Sequence, residues 1–271
     1  MDMFLVSKGE KRTIRWVIYG LGLLFLFPIV SAIYNSLKYE GFENYIFVFT
    51  HKINGISVLS TFWNSLQIAV GHAFFVLLVG SLAGYAFSKI EFAGKEIVYI
   101  GVLMCLAIPL VVMIVPFFYI FQNLGLYNHL LAVVCSEVAM TLPFAVLFFR
   151  NFYDSLPKEL MESATIDGAN VFQAFSKVYL PLARSALINL GVLCVMWSFQ
   201  DFLAPLMFLT DKDLATTNVA INNLKGAFGL SPGNVGKFNA FLVVLGIPAL
   251  VLFLVAQKFI TQGITSGALK D

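Results

Sequence analysis

The chain has 271 residues, of which 59% are hydrophobic and 12% charged, with a net charge of +2. A soluble domain carries roughly 25% charged residues, so a water-facing shell around one core is excluded and the chief solvent is lipid. So small a net charge leaves no electrostatic footprint for nucleic acid.

The first apolar run follows KGEKRTIR and covers about 14–37. Basic residues ahead of an apolar core also describe a secretion signal. This run has the length of a full span and leads into YNSLKYEGF rather than a small-residue cleavage site, so it reads as a retained helix. Further stretches with the roughly 20 apolar residues of a spanning helix lie at about 61–88, 97–120, 127–151, 183–209 and 238–260. Backbone in lipid must satisfy its own hydrogen bonds, so all six stretches are expected to be helical. The fold class expected is an all-α membrane protein, a single transmembrane domain over 1–271 with six spans.

An even number of spans puts both termini on one side. That side carries Lys8, Lys11, Arg12, Arg15, Lys89, Lys95, Arg150, Lys158, Lys177, Arg184, Lys258 and Lys270. The other carries only Lys38, Lys52, Lys212, Lys225 and Lys237. Basic residues mark the cytoplasmic face, so both termini and the 152–182 insert are expected there.

Pro28, Pro109, Pro116, Pro143, Pro205 and Pro248 fall inside the spans. Proline removes a backbone donor and bends a helix, and bent helices could wall a cavity. It is also tolerated wherever neighbours satisfy the freed carbonyls. Pro109 and Pro116, seven apart, share nearly one face of the third span. In the second span, GSLAG sets Gly80 and Gly84 four apart, a spacing that lets helices approach closely, within the subunit or across a dimer. Cys105, Cys135 and Cys194 have no metal-ligand spacing and read as small buried hydrophobes. His51, His72 and His129 are scattered.

Three sets of polar residues sit inside the apolar runs. Gln200 and Asp201 in the fifth span either line a pathway or make structural polar bonds, since acidic groups in lipid are costly. Asn64, Gln67 and His72 in the second span divide the same way. Glu137 in the fourth should face protein or water. The external loop 210–237 has Asn, Gly and Pro turn residues and is either a docking surface or a plain loop.

The insert between the fourth and fifth spans contains DSLPKELMESATIDGA. Ser155 is placed to cap a helix with Pro157 in its first turn, and Glu159 lies where the helix dipole favours negative charge. Gly168 follows the last helical position, where a left-handed cap is cheap for glycine. These signs predict a helix over 156–167 and a second over about 169–179, with Phe172, Phe175, Val178 and Tyr179 at helical spacing and Leu180 and Pro181 ending it. The pair is too short and polar to cross a membrane. It is either a connector folded onto its own protein or a docking knob, with Ser163, Ala164, Gly168 and Ala169 small enough to admit another surface.

These residues also carry a likeness. Glu162-Ser163-Ala164, Ile166-Asp167-Gly168-Ala169 and Leu180-Pro181-Leu182 together resemble the EAA loop of ABC importer permeases. PKELMESATIDGA is similar to the carbohydrate branch, in particular the smaller six-helix subunit of maltose-type transporters. NSLQIAV (64–70), AGYAFSKIEFAGK (83–95), IPLVVMIVPFFYIFQNLGL (108–126), FQDFLAPL (199–206) and QKFITQGITSGALK (257–270) resemble family stretches in the expected order. Ser163 replaces the first alanine of the motif, and ARSAL (183–187) stands where a further proline is usual.

The resemblance implies one of two homologous permease subunits in the plasma membrane of a prokaryote. Two cytoplasmic ATPase subunits would hold ATP and Mg, and an external solute-binding protein would deliver an oligosaccharide or related sugar. The 158–169 helix would sit in an ATPase cleft, with Glu159, Glu162, Ser163, Ala164, Asp167, Gly168 and Ala169 at the joint. This chain would itself be no enzyme, with no catalytic residue, metal or cofactor, and it has no G-x-x-x-x-G-K-[ST] nucleotide loop. The alternative is an ion-coupled secondary transporter. Such folds often repeat internally, but residues 1–130 and 131–271 share no convincing repeat, and the knob would go unexplained. An intramembrane enzyme would need a motif such as G-x-S-x-G or H-E-x-x-H, and neither is present.

Overall fold

The computed structural model describes residues 8–228 and 232–268. They form α1 (Lys8–Ser36), α2 (Glu43–Thr50), α3 (Val58–Lys89), α4 (Lys95–Met104), α5 (Leu110–Asn123), α6 (Leu130–Asp154) and α7 (Glu159–Ile166). These are followed by α8 (Val171–Ala174), α9 (Leu180–Leu182), α10 (Arg184–Gln200), α11 (Leu203–Phe208), α12 (Thr217–Phe228) and α13 (Pro232–Ala268). Four helices are long and apolar enough to cross a membrane, and up to six crossings result if each of two bent pairs counts as one.

The chain divides into two units, Met1–Asn54 with Ile221–Gly246 and Gly55–Ala220 with Ile247–Asp271. In the first, the apolar window of α1 buries none of its residues within the chain. The turn after it is held by Asn44, whose amide donates to the carbonyls of Ser36 (2.9 Å) and Lys38 (3.1 Å). Lys237 closes the unit with an ion pair to Glu40 at 3.1 Å.

In the second unit α3, α6 and α10 form the centre. GSLAG acts within the subunit: a Cβ on Gly84 would stand 2.5 Å from Cβ of Phe149 and 2.9 Å from the backbone nitrogen of Arg150. One on Gly80 would stand 2.7 Å from Cβ of Ala145. The glycines therefore let α3 touch the backbone of α6. One buried cluster runs along this contact from Ala73 and Val76 through Leu190 and Phe149 to Tyr179. A second gathers Ile68, Phe117, Phe121, Val133 and Phe208, with the rings of Phe121 and Phe208 edge to face at 5.1 Å.

Two expected spans are not single helices. The third breaks after a 3-10 turn, Cys105–Ala107, and its two arms meet at 104°. Pro109 causes the break: it cannot donate to the preceding turn, and it holds Ile108 in extended backbone (φ −86°, ψ 115°). Pro116, on the same predicted face, stays inside α5. The fifth stretch ends its helix at Gln200, turns at Asp201, and resumes as α11. The cysteines also differ from expectation. Only Cys194 is buried, while Cys105 and Cys135 face outward on a surface whose surroundings are apolar.

Candidate functional site

The insert folds as a knob in which α7 is shorter than predicted. Ser155 does not cap it: this residue ends α6, and its hydroxyl donates to the carbonyl of Phe152. Asp167 N–H donates to Ser163 O, Gly168 N–H to Thr165 O and Ala169 N–H to Ala164 O, which together close the carboxyl end. Gly168 has φ +76°, the left-handed conformation this closure demands.

The second helix starts at Asn170, where a capping box pairs Asn170 with Gln173, a start that the sequence reading missed. It does not end at Pro181. A π turn, Phe175–Tyr179, widens the backbone just ahead of the proline ring, and the helix passes through to Leu182.

The knob's predicted joint residues sort by exposure. Glu159, Glu162, Ser163, Asp167 and Gly168 are exposed, and Ala169 is half-buried. Ala164 is 6% exposed and packs inward, so its small size serves the chain's own core. Beside the charged group stand apolar side chains without cover, Ile166 at 86% and Phe172 at 69% exposure. The inner face is tied to the long helices by four rings. Tyr85 of α3 lies 5.9 Å from Tyr153 of α6, 5.1 Å from Phe175 and 5.2 Å from Tyr179. Its hydroxyl donates to the carbonyl of Val171 at 3.2 Å. Sequence reading placed Phe175 and Tyr179 on the knob but missed Tyr85 and Tyr153, whose only sign is a tyrosine near the carboxyl end of each of α3 and α6.

A second place brings together the polar residues of the apolar runs. A cavity of about 290 Å³ is lined by His72, Glu137, Thr141, Trp197, Gln200 and Asp201, among others. The helix break positions the last of these. Asp201 Oδ1 accepts the backbone N–H groups of Leu203 (2.9 Å) and Ala204 (3.4 Å), so the carboxylate starts α11 as well as facing the cavity. His72 is 1% exposed, and both its nitrogens are engaged. Nδ1 donates to the carbonyl of Cys194 at 3.2 Å, and Nε2 pairs with the Thr141 hydroxyl at 3.0 Å. Glu137 Oε2 lies 3.5 Å from His72 Nδ1. The approach of Glu137 to His72 was not legible in sequence, since the two are on different helices with no local signature.

Asn64 and Gln67 stand apart from this cavity. Asn64 donates to the carbonyls of Asp213 (2.7 Å) and Ala215 (3.1 Å), a structural tie. Gln67 is exposed and bonds back to Trp63. Of the loop 210–237, expected to be external, residues 229–231 lie outside the described residues. Its first part is held by Asn128, whose side-chain oxygen accepts from Thr210 and Asp211.

An all-helical body with a capped polar knob and a polar cavity beside a helix break suits a membrane transport component. Residues 76–266 match the family described as "Binding-protein-dependent transport system inner membrane component". The chain is 30% identical to the arabinooligosaccharides transport system permease protein AraQ of Bacillus subtilis, over 92% of each chain. It is 34% identical to the trehalose/maltose transport system permease protein MalG of Thermococcus litoralis, over 76% of this chain and 74% of the relative. Its fold is similar to a chain of a bacterial ABC transporter involved in the import of the acidic polysaccharide alginate, with a TM-score of 0.79 at 20% identity, over 94% of this chain and 98% of that one. The chain therefore belongs to the family of inner membrane components of binding-protein-dependent transport systems, as a permease subunit rather than an ion-coupled secondary transporter.

Proposed function

We propose that this chain forms half of the translocation pathway of an ATP-driven carbohydrate importer, beside a second homologous permease. Two cytoplasmic ATPase subunits would hold ATP and magnesium, and an external solute-binding protein would deliver the sugar. The substrate class is supported by relatives named for arabinooligosaccharides, trehalose and maltose. Six crossings with both termini and the knob in the cytoplasm are supported by the basic residues that gather on that side.

One observation carries the coupling role. The buried cluster that begins at Ala73 in α3 also packs Leu160 and Met161 of α7, so the knob and the long helices share one core. Close-packed interiors transmit displacement rather than absorb it. A push on Glu159, Glu162, Ser163, Asp167, Gly168 or Ala169 would reach α3, α6 and α10 through the four rings. Ala164 would set how closely α7 sits on that core. Gln200 and Asp201 would face the solute.

The test is purification of the tagged chain in mild detergent, with its partners identified by mass spectrometry. A second permease and an ATPase should co-purify, and the ATPase should be lost from Gly168→Trp and from Glu162→Arg. The second variant leaves the backbone of the turn untouched. A chain recovered alone, or an ATPase retained by both variants, removes the coupling role.

A further inference from the structure

Glu137 brings a buried carboxyl group to the cavity wall. It is 8% exposed, and neither carboxylate oxygen has a hydrogen-bond partner among the described residues. Burying an unpaired carboxylate is costly enough that its oxygens call for donors. His72 Nδ1, 3.5 Å from Glu137 Oε2, gives its hydrogen to the carbonyl of Cys194. Ser198, which lines the same cavity, also has a buried hydroxyl oxygen without a partner.

The cavity wall has two carboxylates, Glu137 and Asp201, with no lysine or arginine in the lining. His72 is buried with both nitrogens engaged by neutral groups, so Asp201 alone makes that lining net negative. Trp197, at the same wall, is 41% exposed, and its ring sits edge-on to Phe144 at 5.7 Å. A volume of about 290 Å³ is at the lower end of the range for small-molecule sites, about 300–1,000 Å³, and admits one ring rather than a chain.

We propose that this cavity is a subsite for one uncharged saccharide ring, whose hydroxyls donate to Glu137 and Ser198 while its apolar face lies on Trp197, and that it rejects saccharides bearing carboxylates. The inference rests on the carbohydrate reading above and adds the charge class of the sugar. It also sets this chain apart from the alginate importer that shares its fold, whose cargo is an acidic polysaccharide. An acid on the sugar would meet Asp201 across a low-dielectric gap, where like charges repel strongly.

The experiment is saturation-transfer difference NMR on the complete transporter in nanodiscs, without its binding protein. The probes are methyl α-glucopyranoside, trehalose and methyl α-glucuronide. Wild type should transfer saturation to the two neutral sugars and far less to the glucuronide. Glu137→Gln keeps the shape but turns one acceptor oxygen into an amide donor, and should bind the neutral probes about tenfold more weakly. Gln200→Lys, at the exposed rim, should raise the glucuronide signal. Equal transfer from neutral and acidic probes in wild type, no transfer from any probe, or an unchanged Glu137→Gln overturns the subsite. The carbohydrate reading fails separately, if the complete transporter with its binding protein takes up no saccharide.

Discussion

At the scale of single residues, neighbours decide what a glycine is for. Gly84 sits where the backbone of α6 passes, so Gly84→Ala must push two helices apart. Overpacking of this kind costs about 1–3 kcal/mol. Gly101, in α4, has nothing within 4 Å of its would-be Cβ. Gly101→Ala should be neutral or stabilise by up to about 1 kcal/mol, because alanine is the better helix former. Thermal unfolding of the purified proteins in detergent checks the pair, and equal shifts would contradict the close approach at Gly84. Asp201 separates charge from geometry. In Asp201→Asn the amide oxygen can still accept from Leu203 and Ala204, so the turn and the assembly should survive. Uptake should nonetheless fall severalfold at equal expression, and unchanged uptake would leave Asp201 with the turn alone. Gly168 was legible in sequence because a glycine after a polar helix needs only local geometry. The cavity was legible as a set of costly polar residues but not as a place, since His72 and Glu137 meet only through the packing of α3 on α6.

At the scale of elements, the joint between the knob and the long helices is aromatic and hence testable by size. Tyr85→Phe removes one hydrogen bond, worth about 1 kcal/mol, and should leave coupling nearly intact. Tyr85→Ala empties the centre of the four rings at a cost of about 3–5 kcal/mol, near that of other aromatic truncations. If the rings carry the push, sugar taken up per ATP hydrolysed should drop severalfold in Tyr85→Ala, with the ATPase still bound. A proportional loss of both rates would mean that the rings only stabilise. Hydropathy picks out apolar runs but cannot see their interruptions. Pro109 and Pro116 are the same residue in equally apolar surroundings, yet one ends a helix and the other rides within it. The difference lies in tertiary context: a 3-10 turn tightens the chain before Pro109, while Phe117 and Phe121 pin the helix around Pro116 into a buried cluster. The break at Asp201 is likewise hidden, because the runs on both sides of Gln200 and Asp201 are largely apolar.

At the scale of the whole molecule, the proposed topology would put the 210–237 loop on the surface that a binding protein approaches. Deleting residues near its tip should lower uptake without lowering ATPase recovery, and a joint loss would make the loop structural only. The elbow at Pro109 reaches further, into the lipid itself. Its arms, Lys95–Ala107 and Leu110–Asn123, have 13 and 14 residues. At 1.5 Å per residue each is roughly 20 Å long, against a hydrocarbon core of about 30 Å. Neither arm alone matches the bilayer, and at 104° they cannot add end to end. Lipid beside the elbow must thin or tilt to meet it, at a cost that grows with acyl-chain length. Transport reconstituted in membranes of increasing thickness should therefore slow on the thick side first, which would make the bilayer a working part of the machine rather than its container.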